Sequence, residues 1–151
     1  MIEIRKSSVD EILGNKDWDA VVEKYAEESS IEGMPRFKVD VPLYKKLESA
    51  GMLFAFAAFD DEHLIGFISI LITPLPHYSE KNAKVESWFV LKEFRHSGVG
   101  LRLRNLAKEL AEEKGAVGII ICAPVGGALA KTLHKDKTCV HTNDVFFMRL
   151  K

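Results

Sequence analysis

The sequence predicts an α/β (α+β) domain in which a mixed central β-sheet is flanked by helices. Two continuous apolar runs, Met52 to Phe59 and Leu64 to Ile72, stand either side of the polar turn Asp60-Asp61-Glu62-His63, as the buried strands of a hairpin do. A strand-like segment, from about Lys84 to Leu91, leads through a glycine-bearing turn into an amphipathic stretch, Val99 to Lys114. The β-branched run Ala116 to Cys122 follows it. Strands alternating with helices in this way must share one sheet covered on its faces.

The elements follow from the N-terminus. Ile2 and Ile4 alternate with Glu3 and Arg5, the period of a short half-buried strand. Trp18, Val21, Val22 and Tyr25 fall at i, i+3, i+4 and i+7, one face of a helix from Asp17 to about Glu28. Gly33-Met34-Pro35 interrupts the pattern. Asp40 then caps a second helix with Pro42 in its first turn, Tyr44 and Leu47 facing inward and Gly51 at its end. The hairpin comes next. Thr73-Pro74-Leu75-Pro76-His77-Tyr78 reads as a loop, because neither proline can donate to a central ladder. Between Val99 and Lys114, Leu103, Leu106, Ala107, Leu110 and Ala111 recur at helical spacing, and Gly115 stops the helix. After Pro124 and Gly126-Gly127 comes a short helix with Leu129, Leu133 and His134, and Val145-Phe146-Phe147-Met148 reads as a last strand. There is no internal repeat or linker, so residues 1–151 form a single domain.

Composition removes several function classes. The balance of 47% hydrophobic and 28% charged residues is that of a globular chain. A formal net charge of -1 supplies no basic field for nucleic acid, so no nucleic-acid partner is expected. The longest apolar stretches are too short to cross a bilayer and the N-terminus lacks an apolar signal core, which points to a soluble cytoplasmic protein with no membrane partner. Cys122 and Cys139 have no metal-ligand spacing and read as free core thiols, with no metal implied.

The chemistry-bearing segment is Trp88 to Leu101, in which a strand meets Arg95-His96-Ser97-Gly98-Val99-Gly100 and opens directly into a helix. Glycines admit an anion close to the backbone, and successive N–H groups and the helix dipole attract it. Arg95 adds a charged donor, and a diphosphate fits such a site. The same glycines also suit a plain tight turn. The segment lacks the Lys-Ser/Thr ending of an NTPase phosphate loop and the third glycine of a dinucleotide fingerprint.

What it resembles is the Arg/Gln-x-x-Gly-x-Gly/Ala pyrophosphate loop of GNAT acetyltransferases. Val90-Leu91-Lys92-Glu93-Phe94 resembles that family's Val-x-Pro-Glu-Tyr lead-in, with Lys92 for proline and Phe94 for tyrosine. The order of elements matches along nearly the whole chain. Pro76-His77-Tyr78, Ala123-Pro124 and Asn143 to Leu150 are similar to compact members encoded by bacteria and their phages, a phage-like trait.

The resemblance implies the GNAT fold with splayed strands and an acyl-CoA N-acyltransferase with acetyl-CoA as cosubstrate. The cosubstrate lies where the strand ending at Leu91 splays from Ala116 to Cys122. By alignment to the motif, amides of His96, Ser97, Gly98, Val99, Gly100 and Leu101 take the pyrophosphate, and Trp88, Phe89 and Val90 border the pantetheine arm and thioester. The reaction implied is direct attack by a primary amine in a ternary complex, on a small-molecule or protein acceptor, by a monomer or homodimer.

Aminolysis of a thioester needs a base for the ammonium and gains from an acid for the thiolate. Glu86 is the base candidate, on the strand face of Trp88 and Val90; a surface carboxylate is the alternative. Thr132-Leu133-His134-Lys135 stands where many GNAT proteins carry the tyrosine acid, so His134 takes that place, or is an exposed helix histidine. Tyr78 is the reserve acid. His77 and Tyr78 alternatively line the acceptor pocket or pack their loop. Two other functions fit: a catalytically weak acyl-CoA-binding module acting through protein interaction, kept open by the absent tyrosine, and an interaction protein without cofactor, disfavoured by Gly98 and Gly100.

Overall fold

A computed structural model describes all residues, Met1–Lys151. Strand β1 (Ile2–Ser7) is followed by helices α1 (Val9–Leu13), α2 (Trp18–Ser29) and α3 (Val41–Ser49). Strands β2 (Leu53–Asp60), β3 (His63–Leu75) and β4 (Glu80–Val90) come next, then a 3₁₀ turn (Lys92–Ser97), α4 (Val99–Glu113), β5 (Ala116–Ile120) and α5 (Ala128–Lys135). The sheet order is β1-β2-β3-β4-β5, with β1 to β4 antiparallel and β5 parallel to β4. The mixed sheet follows from chain connections: short turns join β2 to β3 and β3 to β4, α1 to α3 carry the chain from β1 to an antiparallel β2, and β4 reaches a parallel β5 only through the α4 crossover.

Each face of the sheet has its own core. Ile68, Ile70, Ile72, Val85 and Val90 pack on Val99, Leu103, Ala107, Leu110 and Ala111 of α4. Ala55, Ala57, Phe67 and Phe89 point the other way, against Ile12 of α1 and Val21 of α2, with Trp18 and Tyr25 packed alongside. Tyr25 meets Phe67 and Phe89 edge-on or tilted, with centroids 5.6 and 5.7 Å away. Ile70 and Leu103 are fully buried, and burying such a side chain contributes about 1.5–3 kcal/mol. Asp17 anchors the start of α2 to β3 by accepting the Leu64 N–H at 3.2 Å.

Several sequence expectations need correction. The prolines do not end β3 at Ile72: the strand runs on to Leu75, with Pro74 opposite Lys81. Ile72 donates to Met52 O, so the position two residues on faces the same side, past the end of β2, where a missing donor leaves nothing unpaired. Val145 to Met148 form no strand, although β5 has an unpaired outer edge. This tail instead folds back on the α2–α3 loop, where a Cβ at Gly33 would meet the Phe147 ring at 3.4 Å. Strand β5 ends at Ile120 with most of its residues exposed, so Cys122 is an exposed thiol rather than a core one, while Cys139 is half-buried. Helix α1 was not expected at all.

Candidate active site

Strand β4 has two halves. Its first half pairs with β5 through Lys81, Ala83 and Lys84, and the last pair is Lys84 with Ile120. From Val85 to Val90 the strand keeps β3 on one side and has no strand on the other. Alternate residues of this half therefore turn main-chain groups toward the gap left by β5 without a strand partner, Val90 O being taken by Arg95 Nε.

The chain then turns into α4 at the end of that gap. Leu91 N–H donates to Ile65 O at 2.9 Å, the 3₁₀ turn follows, and Gly98 adopts φ 79°, a left-handed conformation that costs an L-residue roughly 1 kcal/mol. The first intrahelical bond runs from Arg102 N–H to Gly98 O, and no side chain caps the helix. The amides of Val99, Gly100 and Leu101 precede that bond and have no intrahelical acceptor, and no acidic residue occupies the first turn. This is an open positive helix end beside the unpaired half of β4. A Cβ on Gly100 would touch Val90 and Trp88 only at 3.8 Å or more. Nothing in the protein itself forces glycine there; what its absence of a side chain keeps is room at the mouth of the gap.

Arg95 sits differently from its sequence expectation. Its guanidinium makes paired hydrogen bonds to the Glu28 carboxylate at 2.8 and 2.9 Å, and its Nε donates to Val90 O at 2.8 Å. It fastens the turn to α2 rather than standing free for an anion. His96 and Ser97 are exposed, and the Ser97 hydroxyl is bonded to Phe94 O.

Glu86 is the extra residue of a β-bulge, since Ser69 pairs with Ser87 and Ile70 with Val85. The bulge overturns the simple alternation that would place Glu86 on the face of Trp88 and Val90. Its carboxylate lies instead with Ser69 on the α2–α3 face, as bulges next to functional sites commonly re-aim a side chain. Oε1 accepts from Tyr44 Oη at 2.6 Å and Oε2 from Ser69 Oγ at 2.7 Å. Burial, reinforced by this hydrogen bond and the Glu86 charge, pushes the Tyr44 phenol far above the usual tyrosine range. Burial and the same charge raise Tyr25 as well. Both phenols keep their protons at neutral pH.

The other predicted groups do not join this cluster. His134 is exposed on α5, its ring edge-on to His141 at 5.2 Å. Tyr78 is 74% exposed at the tip of the β3–β4 hairpin, and the strand from Glu80 to Glu86 separates it from the carboxylate by about 20 Å at ~3.3 Å per residue. His77 is exposed in the same tip. Sequence periodicity had assigned Tyr44 to packing. Only the register of β4 against β3, unreadable from spacing, reveals its polar partner.

A family model described as "Acetyltransferase (GNAT) family" matches residues 18–136. The chain belongs to the GNAT acetyltransferase family. Solved structures carry the same fold. The ribosomal-protein-alanine N-acetyltransferase of Brucella melitensis biovar Abortus 2308 superposes with a TM-score of 0.77 at 18% identity, covering 100% of this chain and 99% of that one. The aminoglycoside acetyltransferase meta-AAC0020, from an uncultured soil metagenomic sample in complex with sisomicin, gives 0.76 at 17% identity, covering 99% and 97%. AAC(6')-Iy, bound to a bisubstrate analog of CoA and acetylneamine, gives 0.72 at 20% identity, covering 100% and 99%. No curated protein matches the sequence. In this GNAT chain the family match spans α2 through the end of α5, and so includes both the open start of α4 and the Glu86 bulge. No helix is long and apolar enough to cross a membrane.

Proposed function

We propose that this GNAT protein transfers the acetyl group of acetyl-CoA to a primary amine by direct attack within a ternary complex. The observation that carries the reading is the uncapped start of α4 beside the unpaired half of β4. The amides of Val99, Gly100 and Leu101 suit the pyrophosphate, assisted by the neighbouring backbone at His96 to Gly98. Main-chain groups of Trp88, Phe89 and Val90 suit the pantetheine arm, and an N–H near the thioester oxygen stabilises the negative charge that develops there. The family membership and the names of the similar structures, which include aminoglycoside and protein N-acetyltransferases, support an amine as acceptor.

Glu86 is the proposed base. Its carboxylate removes a proton from the acceptor ammonium, and the amine lone pair forms the C–N bond while the carbonyl π electrons move onto oxygen. Collapse breaks the C–S bond and releases the thiolate, which takes the remaining nitrogen proton directly, through water or through His134. The products are amide and CoA thiol, and Glu86 returns its proton to solvent.

A second reading, a catalytically weak acyl-CoA-binding module, is favoured by the exposure of His134 on α5, where its ring stands edge-on to His141. The deciding experiment supplies acetyl-CoA with a panel of small amines, aminoglycosides, lysine peptides and peptides with free N-termini, reading free CoA and product mass. Transfer to one class supports the enzyme. Binding of acetyl-CoA with no transfer to any class supports the module.

A further inference from the structure

Four side chains from three separated segments form one continuous hydrogen-bond chain at the β4 bulge. Ser69 Oγ lies 2.7 Å from Glu86 Oε2 and 2.7 Å from Ser87 Oγ. A carboxylate cannot donate, so the single Ser69 proton goes to Glu86, and Ser87 must donate to Ser69. Tyr44, reaching from α3, donates to the other oxygen at 2.6 Å. Its raised ionisation range keeps it a donor through neutral pH. The order is fixed: Ser87 to Ser69 to Glu86, with Tyr44 opposing.

We propose that Tyr44 and Ser69 are positioning residues that clamp the Glu86 carboxylate from both ends and aim it at the acceptor ammonium. Each oxygen retains a lone pair after accepting one hydrogen bond, so the clamp fixes the plane of the group without closing it to an acceptor. Without it, a glutamate at a bulge would sample several rotamers, and orientation accounts for much of the efficiency of a positioned base. Ser69 is 6% exposed, so its hydroxyl has few other partners than those it makes here. The inference rests on the assignment of Glu86 as base.

The test measures kcat and KM on the acceptor found, with acetyl-CoA affinity and melting temperature alongside, in the full chain. Tyr44→Phe and Ser69→Ala each remove one donor while preserving shape. Each is expected to lower kcat by about 10-fold, the size of one lost hydrogen bond to a charged group, with acetyl-CoA affinity and melting temperature nearly unchanged, and the double variant to lower kcat further. In a Glu86→Gln background the same substitutions should cost little further turnover, because the group they aim is gone. Wild-type kcat in both folded single variants overturns the clamp. A Glu86→Gln protein with wild-type turnover overturns the base assignment instead, so the two failures are distinct.

Discussion

Tyr44 of α3 and Glu86 of β4, 42 residues apart in sequence, meet through a 2.6 Å hydrogen bond on the face of the sheet opposite α4. The carboxylate thereby sits at the unpaired half of β4, held in place but half-exposed. Replacing it by glutamine keeps an oxygen for Tyr44 and removes the base. Glu86→Gln is therefore expected to lower turnover by about 10²-fold or more, with acetyl-CoA affinity nearly unchanged. His134→Ala should cost less, because a thiolate can leave without a donor. Steady-state kinetics and calorimetric binding on both variants check this.

Acid stability offers a separate check on the α4–α5 contact. Asp136 accepts from the Thr138 hydroxyl at 2.6 Å and the Thr138 N–H at 2.9 Å, and pairs with Arg104 of α4. The Thr138 bonds, then Arg104, hold its carboxyl down at about 2, below its unfolded value near 3.9. A depressed folded value contributes stability above the unfolded value and loses it as pH falls toward the folded one. The wild type should thus exceed Asp136→Asn in urea stability at neutral pH, and the difference should shrink between about pH 4 and pH 2. A difference independent of pH would contradict the assignment.

The core makes a plain prediction. Leu103 of α4 is 0% exposed against the sheet, so Leu103→Ala should cost about 2–5 kcal/mol in equilibrium unfolding. Leu101, 53% exposed on the same helix, should cost less than about 0.5 kcal/mol when changed to alanine.

What was legible in the sequence was periodicity and local chemistry. The 3.6-residue stripe of α4 and the apolar runs of β2 and β3 mark their own burial, and Asp40 and Pro42 announce α3, where the Asp40 carboxylate accepts the Leu43 N–H. Helix α1 is too short for a stripe, but Ser8-Val9-Asp10-Glu11 carries a capping signature, and Ser8 Oγ does accept the Glu11 N–H. The tail was misread because β propensity records a willingness to pair and not where the chain places the segment, which here lies against the α2–α3 loop and away from the β5 edge. The bulge was invisible for a related reason. One extra residue reverses the face of every side chain on one side of it, and only the opposing strand shows which residue is extra. The loop glycines, whose role is local, were readable; the tyrosine–glutamate contact, set by register and packing, was not.

The most direct measurement is the affinity for acetyl-CoA of the wild type and of Gly100→Glu, by calorimetry together with thermal shift. A glutamate at Gly100 starts from a Cβ at ordinary contact distance, so the fold survives, but its carboxylate enters the mouth beside the α4 amides. Binding by the wild type, with a raised melting temperature, and its loss in a folded Gly100→Glu variant are expected. Equal affinity in both folded proteins, or no binding by either at about millimolar ligand, would contradict acetyl-CoA use at this site.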